Sequence, residues 1–202
     1  PRYERMSLPM RRIDSHIHYS GDHADDLAVM EKLNLKFLCV CVAHDANDWL
    51  DQADTFSSLA GNNPEAYAWC TSFDPVGFEA PDYIDKVLAR IDRDVTRGAV
   101  ACKVWKNIGM EIKKSSGEFI MIDDPVFDPI YEHLTKIDLT LLGHLGEPLQ
   151  CWLPLDPENP HFGYYTNNPK WHLHGKPEFP SHQAIIDARD HVMEKHPKLR
   201  FV

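Results

Sequence analysis

Residues 82–105 read DYIDKVLARIDRDVTRGAVACKVW, and this stretch decides the fold class. Apolar side chains recur in its first part every three or four residues, at Ile84, Val87, Leu88, Ile91 and Val95. This spacing predicts an amphipathic helix over residues 82–97, which Gly98 is placed to terminate. A strand over residues 99–105 follows at once. A helix that leads directly into an apolar strand is typical of the βα units of a parallel sheet.

The same alternation of short apolar strands and amphipathic helices extends to both sides of this stretch. Ser181 is the predicted N-cap of a further helix, which runs to about residue 195 and precedes the beginning of a sixth strand at residues 199–202. The other strands are predicted over residues 12–18, 35–43, 66–73 and 139–144, and the other helices over residues 25–33, 48–59 and 126–136. The pattern predicts an α/β fold.

Two architectures fit this alternation: a (β/α)8 TIM barrel and an open doubly wound sheet. The first strand is not followed by a GxGxxG sequence, so the dinucleotide-binding form of the open sheet has no support. We therefore predict a single barrel domain over residues 1–202. A complete TIM barrel takes about 250 residues, so five βα units and the start of a sixth strand are expected to form an incomplete barrel.

Composition excludes several classes of protein. The 202 residues include 31 acidic and 21 basic side chains, for a formal net charge of −10, and 43% of them are hydrophobic. A chain of this kind can bury a core, whereas a disordered one cannot. The negative charge repels phosphate backbones, so no nucleic-acid partner is expected. No apolar run approaches the roughly 20 residues of a membrane-spanning helix.

Five cysteines occur without a CxxC pair, which argues against a zinc knuckle and a thioredoxin-type site. Four of them lie in predicted strands and are expected to be reduced and buried: Cys39, Cys41, Cys70 and Cys102. The chain begins with Pro1 rather than methionine. The sequence leaves localisation open: a cytoplasmic enzyme is favoured, and a periplasmic one is expected if a signal segment has been removed.

The sequence DSHIH ends the first predicted strand. Because side chains alternate along a strand, Asp14, His16 and His18 are expected on one side, and Ile13 and Ile17 on the other. Two imidazoles at this separation form a site for a divalent ion such as zinc. The alternative is a pair of histidines that only form hydrogen bonds in a loop.

A third histidine follows the fifth predicted strand, in the sequence GHLGEP. His144 therefore lies at the carboxyl end of a strand, where barrel enzymes place their catalytic groups. Gly143 and Gly146 on either side would let the backbone approach a ligand closely. Three histidines that converge from two strand ends predict a metal site of His16, His18 and His144.

Lys103 is a candidate catalytic residue on the fourth predicted strand. Its neighbours Val100, Cys102 and Val104 form an apolar outer face, so Lys103 is expected to point into the barrel. An inward lysine is costly unless it is paired, carbamylated or used on an anionic substrate. The alternative is a side chain that extends to the rim and pairs with a carboxylate there.

The long segment of residues 148–180 interrupts the βα pattern and is rich in proline, tryptophan and histidine. It is expected to form a lid over the barrel mouth, and a homodimer contact is the alternative because aromatic residues are enriched at interfaces. Its HxH sequence, His172 and His174, has no apolar strand before it and is interpreted as a loop. The residues expected to contact a small-molecule substrate are His44, Trp105, Lys106, Glu147 and Trp152.

The order of these motifs resembles the amidohydrolase superfamily. The DSHIH and GHLGEP sequences, KVWKNIGM at residues 103–110, DDP at 123–125 and FDPI at 127–130 are most similar to its amidohydrolase-2 branch, which comprises metal-dependent TIM-barrel hydrolases and decarboxylases. The resemblance spans essentially the whole chain. It implies that His16, His18 and His144 are ligands of one divalent ion, with zinc expected and manganese, iron or nickel accepted by the same donors.

The family pattern also includes a histidine after strand six and a proton-transferring aspartate after strand eight, so the chain is expected to correspond to the N-terminal portion of such an enzyme. Other HxH families fit less well. TatD-type nucleases carry a glutamate at the end of strand four, where this chain has Lys103 and Lys106. The polymerase and histidinol phosphatase group has a TDH-like turn where this chain reads Ala43-His44-Asp45.

The resemblance implies a metal-dependent hydrolase, in which the ion activates water to attack a C–N or C–O bond of a small, carboxylated substrate. Decarboxylation of an aromatic or unsaturated acid is the first alternative. The second alternative is a catalytically incomplete barrel that serves in binding or assembly, because unpaired strand edges promote self-association.

Overall fold

The structure, a computed structural model, describes residues 11–19, 24–44 and 48–202. Five parallel strands form one sheet in chain order: β1 (Arg12–Ile17), β2 (Leu35–Val40), β3 (Tyr67–Ser72), β4 (Ala99–Val104) and β5 (Thr140–Gly143). The helices are α1 (Ala24–Leu33), α2 (Asp48–Asn62), α3 (Tyr83–Thr96), α4 (Asn107–Met110), α5 (Asp128–Lys136), α6 (Phe162–Asn167) and α7 (His182–Lys195). The predicted alternation is confirmed. None of the helices in this part of the chain has the length and hydropathy that a membrane crossing needs.

The sheet curls into part of a barrel wall. In a flat sheet, β1 and β4 would lie three strand spacings apart, roughly 14 Å. The Nζ atom of Lys103 on β4 nevertheless lies 3.2 Å from the Nε2 atom of His16 on β1, across the concave side. The five strands therefore curl around a shared interior, and the predicted incomplete TIM barrel is confirmed.

Helices cover the convex side of the sheet. One apolar cluster joins α3 and α5 to β4 and β5, and it includes Ile91, Leu134 and Leu141. A second cluster joins α1 and α2 to β2 and β3, and it includes Phe56 and Trp69. The concave side carries a smaller cluster of Val40, Cys70 and Ala101. At the carboxyl ends of the strands, beyond this small cluster, polar side chains line the interior.

Helix α3 shows how the sequence produces this packing. Val87 and Ile91 lie one turn apart on its buried face. Gly98 ends the helix with a φ of 93°, a left-handed conformation that favours glycine. The backbone N–H of Gly98 donates to the carbonyl of Val95 at 2.9 Å, and β4 begins at the next residue. The prediction that Gly98 terminates the helix is confirmed.

Strand β1 departs from the expected alternation of side chains. Its pairing with β2 matches Asp14 with Phe37 and Ile17 with Cys39, so β1 has one more residue than β2 between these pairs. Such an insertion is a β-bulge. Residues that pair directly face the same side of a sheet, and Phe37 and Cys39 both pack in the cluster under α1 and α2. Asp14 and Ile17 therefore share the convex face.

The bulge corrects two expectations from the sequence. The expectation that Asp14 shares a face with His16 and His18 is wrong, because the extra residue shifts the alternation by one position. Ile13 does not pack against the helices with Ile17 either, and it is 63% exposed. His16 and His18 keep their common side, since their Nε2 atoms are 3.2 Å apart.

Strand β4 has the orientation that the sequence predicts, with one exception. Cys102 and Val104 pack in the convex cluster with α3 and α5. Lys103 is fully buried on the concave side. Val100 was expected on the apolar outer face but is 53% exposed. It is the extra residue of a second β-bulge, because β4 pairs Ala99 with Trp69 but Ala101 with Cys70 of β3.

All five cysteines are buried and free within the described residues, which confirms the expectation for the four strand cysteines. Burial raises the pKa of the Cys39 thiol to about 12. The same cause raises the pKa values of the other four thiols. At neutral pH these cysteines are therefore protonated and act as small apolar residues.

The residues after α7 begin a sixth strand, as predicted. Phe201 forms a parallel bridge with Leu141 of β5, and the backbone N–H of Gly143 donates to the carbonyl of Val202 at 2.7 Å. A Cβ atom at position 143 would lie 2.6 Å from the ring of Phe201. Glycine at this position therefore leaves the space that the aromatic ring occupies.

The insertion of residues 148–180 is folded rather than an open loop. It contains helix α6 and two short 3-10 turns. The backbone N–H of Leu173 donates to the carbonyl of Cys151 at 2.8 Å, which closes the segment on itself. Its buried side chains Cys151, Tyr165 and Leu173 pack with Ile185 of α7. The insertion is thereby held against the rest of the chain.

Asp128 links α5 to the end of α7. Its carboxylate contacts the Nζ atom of Lys195 at 2.5 Å and the Nε2 atom of His196 at 2.9 Å. Desolvation raises the pKa of Asp128, but the hydrogen bonds from Lys195 and His196 outweigh it and hold the pKa below its usual value. The ionised carboxylate therefore stabilises the contact between the two helices.

We expect this contact to be lost in acid. The folded-state pKa of Asp128 is depressed, so its stabilisation is complete above the unfolded-state pKa of about 4 and disappears as the pH falls through the folded-state value. The variant Asp128→Asn should unfold at a lower temperature than the wild type at neutral pH, and the gap should close in acid. Glu132→Gln on the exposed side of α5 is the control, and a gap that stays constant with pH would contradict the prediction.

Candidate functional site

The two histidines of the DSHIH sequence lie together at the carboxyl end of β1. Their Nε2 atoms are 3.2 Å apart, and their ring centroids are 5.0 Å apart. Both side chains are exposed to solvent, although Lys103 beside them is buried. The bulge in β1 leaves these two rings on the same side while it turns Asp14 away.

The spacing of this pair fits a divalent ion. Two nitrogen ligands at about 2.1 Å from an ion with tetrahedral or octahedral angles are themselves roughly 3.0 to 3.4 Å apart. The 3.2 Å between the Nε2 atoms of His16 and His18 falls in this range. The same distance also fits a hydrogen bond between two neutral imidazoles. The pair can therefore supply two adjacent coordination positions.

His144 follows β5 and is held beside β4, because its backbone N–H donates to the carbonyl of Val104 at 3.1 Å. Burial is the main cause that lowers the pKa of its imidazole to about 4, and the positive charges of Lys103 and Lys106 contribute to this shift. His144 is therefore neutral at physiological pH. A neutral imidazole is the form that coordinates a metal ion.

The three predicted ligands do not form a closed set in this structure. Among residues 11–19, 24–44 and 48–202, no group of three histidine, cysteine, aspartate or glutamate side chains lies close enough to hold a metal ion. His16 and His18 form a pair, and the ammonium of Lys103 lies next to it, with Nζ 3.2 Å from the Nε2 atom of His16. That His144 serves as the third ligand stays a prediction.

Lys103 is a buried cation beside the histidine pair. Burial lowers the pKa of its ammonium from 10.5 to about 8, because the charged form loses its hydration. No carboxylate in the described part of the chain offsets this effect. A buried cation that lacks a counter-ion favours the binding of an anion. The environment of Lys103 therefore suits a negatively charged ligand.

Two predicted substrate-binding residues, Lys106 and Glu147, contact each other. Their side chains form a buried ion pair, which joins the ends of β4 and β5. The hydroxyl of Tyr165 donates to the Oε2 atom of Glu147 at 3.3 Å, so the insertion is tied to the same pair. The charge of Lys106 is thus balanced inside the protein, in contrast to the charge of Lys103.

Aromatic rings surround the ammonium of Lys106. Its Nζ atom lies 3.8 Å from the ring centroid of Trp171 and 5.5 Å from that of Trp105. The ring of His44 packs edge-on against Trp105, with centroids 4.7 Å apart. His44 and Trp105 therefore lie together at the ends of β2 and β4, and Trp171 of the insertion covers Lys106.

Trp152, another predicted substrate-binding residue, packs within the insertion. Its indole N–H donates to the carbonyl of Pro180 at 3.0 Å, and its ring centroid lies 5.2 Å from that of His182. The single hydrogen-bond donor of this side chain is therefore already used. The structure does not bring Trp152 into contact with the histidine pair or with Lys103.

The second HxH sequence lies in a loop, as the sequence predicts. The Nε2 atom of His172 lies 2.8 Å from the carbonyl oxygen of Leu153. The Nδ1 atom of His174 lies 3.1 Å from the carbonyl oxygen of Trp152. These two rings use their nitrogens to fix the backbone of the insertion.

The link between the insertion and the ends of β4 and β5 is not evident from the sequence. The aromatic composition of residues 148–180 indicated a lid, but it did not indicate that Tyr165 contacts Glu147 or that Trp171 covers Lys106. These partners are separated by 18 and 65 positions in the sequence, so no local pattern identifies them. The signal in the sequence is that Lys106 and Glu147 both follow the carboxyl ends of neighbouring strands, β4 and β5, within a few residues.

The sequence matches no protein-family model and no curated protein, but the fold matches solved structures. The 2,6-dihydroxybenzoate decarboxylase from Rhizobium is similar at a TM-score of 0.60 and 16% identity, over 95% of this chain and 65% of that chain. An amidohydrolase II is similar at 0.54 and 17%, over 94% and 65%. A dihydroxybenzoic acid decarboxylase from Polaromonas sp. JS666, with bound manganese and the inhibitor 2-nitroresorcinol, is similar at 0.52 and 14%, over 91% and 54%.

The chain thus spans between 54% and 65% of the length of these three structures. At identities of 14% to 17%, the likeness establishes the fold and does not establish the activity. What this chain shares with these enzymes is the curled parallel sheet, with the ends of its strands on one rim.

Proposed function

We propose that the chain is part of an enzyme of the amidohydrolase-2 type, which acts on a small carboxylated substrate with the help of one divalent ion. The observation that carries this proposal is the position of Lys103. This fully buried cation has no carboxylate partner among the described residues, and its Nζ atom lies 3.2 Å from the Nε2 atom of one of two convergent imidazoles. A site for an anion next to a pair of metal-ligating groups fits this chemistry.

His16, His18 and His144 are the residues that would hold the ion. When bound, a divalent ion supplies a Lewis acid that polarises an oxygen of the substrate. Zinc, manganese, iron and nickel all accept imidazole nitrogens. The manganese in the Polaromonas decarboxylase supports a divalent ion. We therefore propose manganese as a candidate ion on equal terms with zinc, which is expected from the sequence.

Lys103 would draw in the anionic substrate and orient it. Its ammonium is in a region of low dielectric, where attraction to a carboxylate is stronger than in water. The bound carboxylate would supply the counter-ion that the described residues do not provide. Lys106 would not take this part, because Glu147 already neutralises it. Of Lys103 and Lys106, Lys103 is therefore the residue that selects for a substrate with a carboxylate.

Decarboxylation is the reaction that we favour over the hydrolysis expected from the sequence. Two of the three compared structures are decarboxylases of aromatic acids, and one is an amidohydrolase. In decarboxylation, the bond between the ring carbon and the carboxyl carbon breaks, carbon dioxide leaves, and a proton takes its place on the ring. The ammonium of Lys103 lies on the concave side, where it could deliver that proton. Hydrolysis is the second candidate, supported by the amidohydrolase match.

Product analysis separates these reactions. The purified protein is loaded with manganese or zinc and incubated with 2,6-dihydroxybenzoate, or with an aryl amide bearing a carboxylate, in water enriched in ¹⁸O. We expect carbon dioxide from the first compound without ¹⁸O in the aromatic product. Incorporation of ¹⁸O into a cleaved amide would favour hydrolysis instead. If neither compound reacts and no metal is retained, the proposal fails. The alternative that then remains is a protein that serves in binding or assembly.

The variant Lys103→Met tests the role of the buried cation. Loss of the charge-assisted contact is expected to raise KM, and loss of the proton donor is expected to lower kcat, so that kcat/KM falls by at least about 10- to 100-fold. The same change should raise the melting temperature, because it replaces an uncompensated buried charge by an apolar side chain of similar length. Lys136→Met, at an exposed position of α5, is the control. An unchanged KM, or a lower melting temperature with unchanged kcat/KM, would contradict this role.

A further inference from the structure

A groove of about 600 Å³ lies on the outer side of the barrel, between α7 and the segment of residues 117–123. One of its walls is a stripe along α7, because residues 184, 187, 188 and 191 recur every three or four positions. Ala188 on this stripe also packs in the convex cluster with β4 and β5, which places the groove outside the sheet. None of the candidate site residues at the carboxyl ends of the strands lines it.

Contacts between side chains close the groove at both ends. The Nδ1 atom of His191 lies 3.0 Å from the Oδ2 atom of Asp123, which joins α7 to the opposite wall. At the other end, the rings of Phe119 and Phe179 lie with their centroids 5.2 Å apart. These two rings line both the groove and a smaller cavity beside His44, so they separate the groove from the rim of the barrel.

The floor of the groove is apolar. Two small residues on the stripe of α7 leave space that larger side chains would fill. Most of the apolar lining is only half-buried, so it remains in contact with solvent. Apolar surface of this kind is typical of protein interaction sites. The apolar lining residues are Phe119, Met121, Phe179, Pro180, Ala184 and Ala188.

Carboxylates surround this apolar floor. Glu118, Glu178 and Asp187 are exposed, and none of them forms an ion pair with a lysine or arginine in the part of the chain that the structure describes. Asp123 is shared with His191. No lysine or arginine of the described residues lines the groove. The floor therefore lies in a negative local field.

Two lysines contact the ring pair from outside the groove. The Nζ atom of Lys113 lies 4.4 Å from the ring centroid of Phe119, and that of Lys176 lies 5.9 Å from that of Phe179. They offset part of the negative charge, but neither lysine reaches the three unpaired carboxylates closely enough to form an ion pair. The groove thus keeps its preference for a positively charged partner.

We propose that this groove docks a short basic segment of a partner protein, in which one large apolar side chain lies between lysine or arginine residues. The apolar side chain would pack on the floor, and the flanking cations would contact Glu118, Glu178 and Asp187. The stripe from Ala184 to His191 is about 10 Å long, which matches three residues of an extended segment. This surface does not depend on the proposed enzymatic function.

Fluorescence anisotropy with a labelled peptide, in which phenylalanine lies between two pairs of arginines, tests the proposal. At an ionic strength of about 0.15 M, which screens general attraction to an acidic protein, we expect saturable binding. Glu178→Gln/Asp187→Asn should bind about tenfold more weakly, because it loses two charged contacts. Ala184→Leu keeps the charge and should also bind about tenfold more weakly, because the larger side chain fills the floor.

Two controls separate docking in the groove from general attraction. Asp85→Asn/Glu132→Gln removes two exposed carboxylates of α3 and α5 and should bind like the wild type. A peptide with alanine in place of phenylalanine should bind the wild type about tenfold more weakly. Both controls leave the groove itself unchanged.

The proposal is overturned if the wild type does not bind the peptide at millimolar concentration, or if Asp85→Asn/Glu132→Gln loses as much affinity as Glu178→Gln/Asp187→Asn. It is also overturned if Ala184→Leu or the alanine peptide keeps the full affinity. A wild-type dimer that Ala184→Leu dissociates, seen by analytical ultracentrifugation, would assign the groove to a second copy of the chain instead. These readouts involve neither metal content nor turnover, so they are independent of the tests of the proposed function.

Discussion

Replacing His16 and His18 together by alanine is expected to remove the divalent metal from the protein and to lower kcat/KM by about a thousandfold or more. The two Nε2 atoms are 3.2 Å apart and exposed, so they are the best-placed pair of nitrogen donors in the described chain. Without them, His144 alone cannot retain an ion. The measurement is elemental analysis of the purified protein, together with steady-state kinetics.

The chain contains a matched control for this experiment. His172→Ala/His174→Ala removes the same two side chains from the other HxH sequence, where the rings contact backbone carbonyl oxygens of the insertion. We expect this variant to keep its metal. Equal metal content in the wild type and in His16→Ala/His18→Ala would refute the proposed site, whatever the activity.

Replacing Glu147 by leucine is expected to lower the free energy of unfolding by about 3–5 kcal/mol. The reason is the buried ion pair with Lys106: without the carboxylate, the lysine is left as a buried charge that has only aromatic rings beside it. Tyr165 would lose a hydrogen-bond acceptor as well. Urea unfolding, monitored by tryptophan fluorescence, measures the change.

A double variant separates the lost contact from the stranded charge. Lys106→Met/Glu147→Leu removes both charges, and it should recover most of the stability that Glu147→Leu loses. Glu132→Gln, at an exposed position of α5, should change stability by less than about 0.5 kcal/mol. A loss below about 1 kcal/mol for Glu147→Leu would mean that Lys106 finds water or another partner, and it would contradict the assigned importance of the pair.

The regular elements were predictable because their signals are local. The apolar spacing of residues 82–97 identified α3, and Gly98 identified its end, since a positive φ is needed there. Ser181 was identified as an N-cap, and its Oγ atom accepts from the backbone N–H of Ala184 at 3.0 Å. Helices and their ends depend on residues within one or two turns of each other, so the local sequence is enough to predict them.

The bulge in β1 was not predictable, because it is a property of two strands. Whether Asp14 or His16 lies opposite a given residue of β2 depends on the register, and the sequence of β1 alone reads as a regular strand. The exposure of Val100 has a similar origin. Strand β4 has one more residue than β3 at this position, and the alternation within β4 alone does not reveal the extra residue.

Some features of the candidate site were also predictable from local sequence, and others were not. The convergence of His16 and His18 follows from their spacing within one strand, and the inward position of Lys103 follows from its apolar neighbours. The pairing of Lys106 with Glu147 and the position of Trp171 depend on how the insertion folds back, which no spacing encodes. Charged residues near a strand end therefore identify a rim, and the structure decides which of them remain available to a ligand.

Gly143 has a consequence for how the barrel is assembled along the chain. The ring of Phe201 fits where a side chain of residue 143 would be, and the backbone N–H of Gly143 reaches the carbonyl of Val202. A slip of the last strand by one residue would bring a charged arginine or a branched valine into that notch. The space beside Gly143 therefore sets the alignment of residues 200–202 on β5.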